Sequence, residues 1–158
     1  MTGRITISLD FECGWGVIGN DQWKEREAKG VYKELRPVLK SFLKYLDAAE
    51  LPCTWAVVGA MVDKPAERCF EHLTGEYRKK VELFHSQSKA QTNDGRDLLD
   101  AVLASTARHS FGIHSYSHLL FSEYAKEPDV LEADLDKSIS VNKELGLASD
   151  FFVFPENR

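Results

Sequence analysis

The sequence predicts an α/β fold in which about four parallel strands are joined by crossover helices. Short apolar runs alternate along the chain with longer stretches of helical periodicity, and such an alternation is typical of parallel sheets. Polar residues capable of chemistry follow three of the predicted strands, and in parallel-sheet folds the working residues gather at the carboxyl ends of the strands. The length of 158 residues suits one domain with a single core.

The predicted elements follow one another along the chain. The predicted strands cover residues 4–10, 52–59, 109–114 and 150–154. The predicted helices cover residues 31–50, 66–84, 96–106 and 129–145, with a polar loop over residues 87–95. Because Pro37 lies inside the first of these helices, we expect regular helix only from about Leu35, with the proline in its first turn. Gly146 is expected to end the last helix.

Composition and charge exclude some classes of partner. The formal net charge is −5, and no cluster of Lys and Arg is large enough to outweigh it, so we expect neither nucleic acid nor an anionic membrane surface as a partner. No apolar run approaches the roughly 20 residues that are needed to cross a bilayer. Cys13, Cys53 and Cys69 are odd in number and irregularly spaced, which favours reduced cysteines in a cytoplasmic protein.

Two histidines and two carboxylates form a candidate metal site. His114 and His118 are four residues apart, and a helical turn after the third strand would point both imidazoles to one side. Asp10 and Glu12 follow the first strand and offer an anionic ligand. Two imidazoles and one carboxylate are a usual set for catalytic zinc. A histidine pair can be incidental and an acid after a strand can be a helix cap, but their shared position favours a metal site.

Three segments of the chain resemble the polysaccharide deacetylase family, also described as the NodB-homology domain or carbohydrate esterase family 4. They are ISLDFE (residues 7–12), TWAVVG (54–59) and FGIHSYSH (111–118), in the family's order. The resemblance implies an irregular barrel of seven or eight β/α units. Residues 1–158 would be the N-terminal portion of such a barrel, with the C-terminal strands missing, and the bare edge of the sheet could support self-association.

The resemblance also implies roles for the site residues. Glu12, His114 and His118 would bind a divalent metal, with zinc expected first and cobalt or nickel as alternatives, and Asp10 would be the general base. The commoner family motif has two adjacent aspartates, whereas Phe11 separates the two acids here. The implied reaction is removal of acetyl groups from N-acetylated sugars or polysaccharide, by hydrolysis of a C–N amide bond with metal-activated water.

Other residues near the strand ends are candidates for substrate binding. Trp15 could stack on a sugar ring or pack locally, and Asn157 and Arg158 follow the fourth strand. Glu156 stands where the family usually has an arginine that orients the base. We therefore do not expect an arginine to orient the base in this chain.

The resemblance places the family's general acid, a histidine, in strands beyond residue 158. His109 is expected at the opposite end of the sheet, and His72 and His85 lie in a helical insertion, so none of them is expected to replace it. We therefore expect a fragment with little activity of its own. Two alternatives remain open. One is an allantoinase-like hydrolase of small amides, which the complete ligand set opposes. The other is a non-catalytic carbohydrate-binding or interaction protein on a degenerate barrel, which the missing acid favours.

Overall fold

The computed structural model describes residues 6–157 and confirms the α/β class. Its sheet has three parallel strands in the order β1-β2-β3. They are β1 (Ser8–Phe11), β2 (Thr54–Val57) and β3 (Ser110–Ile113). Residues 4 and 5 of the predicted first strand, and Arg158, lie outside the described residues.

The predicted fourth strand is reduced to a single parallel bridge beside β3. Ile113 pairs with Phe152. The N–H of Ile113 donates to the carbonyl of Phe151 at 3.0 Å, and the N–H of Val153 donates to the carbonyl of Ile113 at 2.9 Å. The chain therefore extends the sheet in sequence order, and the last segment lies next to β3.

Helices and turns connect the strands. The helices are α1 (Trp23–Ala28), α2 (Val31–Ala48), α3 (Gly59–Val62), α4 (Gly75–Gln87), α5 (Ala90–Asn93), α6 (Arg96–Leu103) and α7 (Pro128–Glu144), and the 3-10 turns are Trp15–Val17 and Pro155–Asn157. Helix α2 contacts α6, and α7 contacts both α3 and β3. No helix in the part of the chain that the structure describes is long and apolar enough to span a bilayer.

The two faces of the sheet differ in chemistry. Because paired residues of parallel strands share a face, the register puts large apolar side chains on one face and small or polar ones on the other. The first face carries Leu9, Phe11, Trp55, Val57, Phe111 and Ile113, and the second carries Ser8, Asp10, Thr54, Ala56, Ser110 and Gly112. The apolar face belongs to the hydrophobic core that the helices share. The second face, which we call the small-residue face, is the one that carries Asp10.

Helix α2 begins earlier than expected. It starts at Val31 rather than near Leu35, directly after Gly30, whose φ of 75° is in the left-handed region. Pro37 therefore lies well inside the helix and not in its first turn. Its missing N–H leaves the carbonyl of Lys33 without a helical partner, but Lys33 and Pro37 are both exposed, so water can hydrate that carbonyl.

The predicted helix over residues 66–84 was wrong in its first half. Helix α4 begins only at Gly75, after Thr74 in an extended conformation. Phe70 and Leu73 are buried, so their apolar spacing reflects packing of an irregular loop and not a helix face. The predicted loop over residues 87–95 contains the short α5, and α6 ends at Leu103, three residues before its predicted end.

Candidate metal centre

Three side chains converge beyond the carboxyl ends of β1 and β3. Each of Glu12, His114 and His118 offers one potential ligand atom, and these three atoms lie within 4.8 Å of one another. Oε2 of Glu12 is 3.3 Å from Nε2 of His114 and 3.0 Å from Nε2 of His118. Oδ2 of Asp10 is 4.0 Å from Nε2 of His114, and half of the Asp10 side chain is exposed. The structure thus brings together all four residues that the sequence predicted.

The sheet explains how these residues meet. Glu12 and His114 are the first residues after β1 and β3, and strand alternation puts them on the small-residue face with Asp10. The backbone N–H of His114 still donates to the carbonyl of Val57 at 2.9 Å, so pairing with β2 fixes the position of His114 along the strand direction. The predicted gathering at the carboxyl ends of parallel strands is therefore present for these residues.

The segment from His114 to His118, which we call the histidine loop, is not the helical turn that the four-residue spacing suggested. Ser115 and His118 have φ of 65° and 59°, in the left-handed region that is unfavourable for residues with side chains. The rings of His114 and His118 nevertheless lie 5.1 Å apart between centroids at 72°. The loop backbone, and not helical periodicity, brings the two imidazoles together.

Hydrogen bonds from neighbouring helices hold the histidine loop. The N–H groups of Gly59 and Ala60 at the start of α3 donate to the carbonyls of Ser115 and Tyr116 at 3.0 and 2.8 Å. Tyr77 of α4 directs its hydroxyl at the carbonyls of Ser117 and His118, at 2.9 and 2.7 Å. Strained backbone persists only where its surroundings enforce it, and these contacts enforce it here.

Asp134 of α7 also binds the histidine loop, and sequence reasoning missed it. The residue is fully buried, and its carboxylate accepts hydrogen bonds from the side chains of Ser115 and Ser117, both at 2.6 Å. A signal was present in the sequence, because Asp134 shares the buried face of α7 with Val130, Ser138 and Val141. A carboxylate on an otherwise apolar or small-residue stripe indicates a buried partner.

Gly16 allows Glu12 to adopt its position. A Cβ on Gly16 would lie 2.0 Å from Oε1 and 2.2 Å from Cδ of Glu12, so the carboxylate rests against the glycine backbone. The φ of Gly16 is not in the left-handed region. Glycine is needed here for space and not for an unusual backbone conformation.

The tautomer of His114 suits metal binding. Its Nδ1 lies 2.9 Å from the carbonyl of Val153, which can only accept, so Nδ1 donates to this carbonyl and Nε2 is the ring nitrogen left for a metal. Nε2 is buried and has no hydrogen-bond partner among the described residues, although Glu12 is near. A hydrogen bond from the other ring nitrogen to a carbonyl is the usual orientation of a metal-binding histidine. A buried ring nitrogen without a hydrogen-bond partner, beside a carboxylate and a second imidazole, fits a divalent cation.

The charge state of Glu12 also suits a ligand. Burial alone would raise the pKa of this carboxyl, but His114 and His118 outweigh burial and lower the pKa to about 2. Glu12 is therefore anionic at neutral pH. Two imidazole nitrogens and one carboxylate make a three-ligand set of the kind found in catalytic sites, where further positions stay open.

Of the residues predicted to bind substrate, Trp15 does not join the centre. Trp15 is fully buried, its indole N–H donates to the carbonyl of Asn93 at 2.9 Å, and its ring packs on Phe70 and Phe84. Its assignment to substrate binding was therefore wrong, because the ring belongs to the core. Asn157 is exposed after the fourth segment, and its role stays a prediction. Arg158 lies outside the described residues.

The remaining histidines and Cys13 pack against other parts of the fold and do not contribute to the centre. His109 precedes β3 at the opposite end of the sheet, as expected, and its Nδ1 accepts a hydrogen bond from the N–H of Cys53 at 3.1 Å. His72 contacts Asp134, and His85 packs on Phe70. Burial raises the pKa of the Cys13 thiol to about 12, so it is not a nucleophile at neutral pH.

Comparison with known proteins gives no relative: no protein family, no curated protein and no solved structure matches the chain. The function therefore rests on the geometry of the metal centre and on the motifs of the sequence.

Proposed function

We propose that the chain carries the metal centre of a hydrolase of the polysaccharide deacetylase type, which removes acetyl groups from N-acetylated sugars or polysaccharide. One observation carries the proposal: Glu12, His114 and His118 converge as a three-ligand set, with Asp10 beside them. That set occurs at the ends of parallel strands, where hydrolases of this architecture have their catalytic groups. The resemblance of the sequence segments supplies the reaction and the substrate class.

The order of the strands supports the barrel that the resemblance implies. β1, β2, β3 and the segment at Phe152 are neighbours in sequence order and all parallel. A doubly wound sheet instead reverses its strand order at a switch point, and the described strands contain no such reversal. We propose that residues 1–158 are the first four β/α units of an irregular barrel of seven or eight strands.

Distances support the proposed division of labour between the two acids. Glu12 lies within 3.3 Å of both ligand nitrogens, whereas Asp10 is 4.0 Å from one of them. A divalent ion such as zinc, cobalt or nickel, when bound, lowers the pKa of a water molecule and polarises the acetyl carbonyl. The half-exposed carboxylate of Asp10 lies beside the ligands, where it could accept a proton from a water molecule. Glu12 keeps its charge for binding the ion.

Departure of the sugar amine requires a proton that the described histidines do not supply. His109 lies at the far end of the sheet, His72 is bonded to Asp134 behind the histidine loop, and His85 packs on Phe70. General acid–base participation is typically worth about 10²–10⁴-fold in rate. We therefore propose that residues 1–158 release acetate slowly and that a longer chain with the remaining strands would be faster.

Metal analysis and acetate release test the proposal. Purified protein should bind about one zinc, cobalt or nickel ion per chain, and His114→Ala or His118→Ala should abolish that binding. His109→Gln is the matched control, because it changes a histidine at the opposite end of the sheet. Equal metal content in all four proteins would refute the metal centre. Rapid acetate release from N-acetylated chitooligosaccharides by this chain would contradict the proposed lack of a general acid.

A carbohydrate-binding protein without catalysis is the second candidate, favoured by the positions of the three remaining histidines. It predicts that the metal-loaded protein binds chitooligosaccharides in calorimetry but releases no acetate, even in a longer chain. An allantoinase-like hydrolase of small amides would instead cleave a small amide and leave the oligosaccharide intact. The complete set of metal ligands opposes this third candidate.

A further inference from the structure

We propose that Asp134 is a positioning residue for the metal ligands, acting through the histidine loop. The inference rests on the proposed metal centre and adds a residue outside the sequence motifs. Asp134 lies on α7, sixteen or more positions beyond the loop in sequence, and its side chain is fully buried.

Both oxygens of Asp134 are saturated by the histidine loop and by His72. Oδ1 accepts from the hydroxyl of Ser115 at 2.6 Å and from the N–H of Tyr116 at 2.7 Å. Oδ2 accepts from the hydroxyl and the N–H of Ser117, at 2.6 and 3.2 Å. Nε2 of His72 lies 3.2 Å from Oδ2 and donates to it. The carboxylate thus bonds every residue between the two histidine ligands.

The charge of Asp134 has few other compensating partners. His72 is the only basic side chain within ion-pair distance of Asp134 among residues 6–157. A buried carboxylate without full hydrogen bonding is strongly unfavourable, so the loop donors must keep their positions around it. Bonds to an ionised acceptor are about twice as strong as neutral ones. A fixed loop geometry is the consequence.

The fixed geometry matters because the histidine loop is strained. Ser115 and His118 both have left-handed φ values. Ser115 also accepts a hydrogen bond from the N–H of Leu119 at 2.8 Å through the hydroxyl that donates to Asp134. Relaxation of this loop would move His118 away from His114. Metal–ligand distances tolerate only about 0.2 Å, and loss of a group that orients a ligand typically costs about 10–100-fold in metal affinity.

Cobalt titration of the folded protein tests the inference. Asp134→Asn retains the size of the side chain but puts an NH₂ group against N–H and O–H donors. We expect cobalt affinity to fall by about 10–100-fold and the visible absorption of bound cobalt to change in shape. The matched control is Asp136→Asn on the same helix, where the side chain is exposed, and it should behave as wild type.

The outcomes separate the inference from the proposed function. If wild type binds no cobalt, the metal centre itself is wrong. If wild type and Asp134→Asn bind cobalt with the same affinity and spectrum while both are folded, Asp134 is only structural and the inference is overturned. Should Asp134→Asn not fold, Ser117→Ala and His72→Ala each remove part of the network. Unchanged cobalt spectra and affinities in both would overturn the inference equally, whereas His72→Gln should restore the donor and the wild-type spectrum.

Discussion

Replacing Gly16 with alanine should remove Glu12 from the metal centre without unfolding the chain. The new Cβ would lie 2.0 Å from Oε1 of Glu12, and ordinary van der Waals contact begins at 3.4 Å, so the carboxylate must move by about 1.4 Å. That shift is several times larger than the roughly 0.2 Å that metal–ligand distances tolerate. Loss of a group that orients a metal ligand typically lowers metal affinity by about 10–100-fold. Metal affinity should therefore fall by at least that factor.

The folded state should survive Gly16→Ala because the backbone at Gly16 is not left-handed. Gly-to-Ala changes at compatible positions alter the free energy of unfolding by only about 0.4–1 kcal/mol. The assay is cobalt or zinc titration by calorimetry, with thermal unfolding of the metal-free protein measured alongside. Gly19→Ala is the control, since a Cβ at Gly19 meets nothing within 4 Å. Wild-type metal affinity in Gly16→Ala would refute the position of the Glu12 carboxylate.

Three further predictions concern the acids, pH and the core. Asp10→Asn should keep the metal, whereas Glu12→Gln should lose roughly 10–100-fold or more in affinity; metal analysis showing the reverse would mean that the acids exchange roles. Burial alone lowers the pKa of His114, but Glu12, the carbonyl of Val153 and Asp10 together raise it above its ordinary value in the metal-free chain. Because the pKa of His114 is higher in the folded than in the unfolded chain, protonation of His114 stabilises the metal-free fold. This stabilisation is fully present below about pH 6.5 and is lost as the pH rises through the folded-state pKa. A metal that binds Nε2 of His114 must displace the proton there. Affinity in calorimetry should therefore fall about tenfold per pH unit for each proton displaced below that pKa, and pH-independent affinity would contradict this. Trp15→Phe should destabilise the fold by about 1–3 kcal/mol in denaturant unfolding with unchanged metal affinity; weaker metal binding at unchanged stability would argue against a core role.

The sequence predicted the positions of strand ends well because burial and alternation are local signals. The first three strands were found, and with them the residues that follow β1 and β3. Parallel pairing then required Glu12 and His114 to lie at one edge of the sheet. Two strand assignments and one topological rule were therefore enough to predict the convergence of a carboxylate and an imidazole.

The conformation of the histidine loop could not be predicted from spacing alone. A four-residue interval suits a helical turn, yet Ser115 and His118 are left-handed. The cause lies on α7, because Asp134 binds the loop donors across a sequence distance of 17 to 19 residues. Local periodicity contains no information about such a partner. The close approach of Glu12 to Gly16 was missed for the same reason, since it depends on a side-chain direction and not on a pattern.

The two acids of the centre differ in reach, and the sheet explains why the longer one contacts the imidazoles. β2 lies between β1 and β3, so two strand spacings of about 4.8 Å, roughly 10 Å in all, separate the strands that carry the two sides of the centre. Ala56, between Asp10 and Gly112 in the register, adds little bulk to the small-residue face. Asp10 has the shorter side chain and lies two residues before Glu12 on the same face of the sheet. Its Oδ2 is 4.0 Å from Nε2 of His114. Glu12 is beyond the strand end and has one more methylene, so its carboxylate crosses the gap and contacts both imidazoles. If the two acids were exchanged, an aspartate after the strand end would be too short to contact both imidazoles, and a glutamate at position 10 would crowd the ligands. For this reason we expect the glutamate to bind the metal and the aspartate to accept a proton from water.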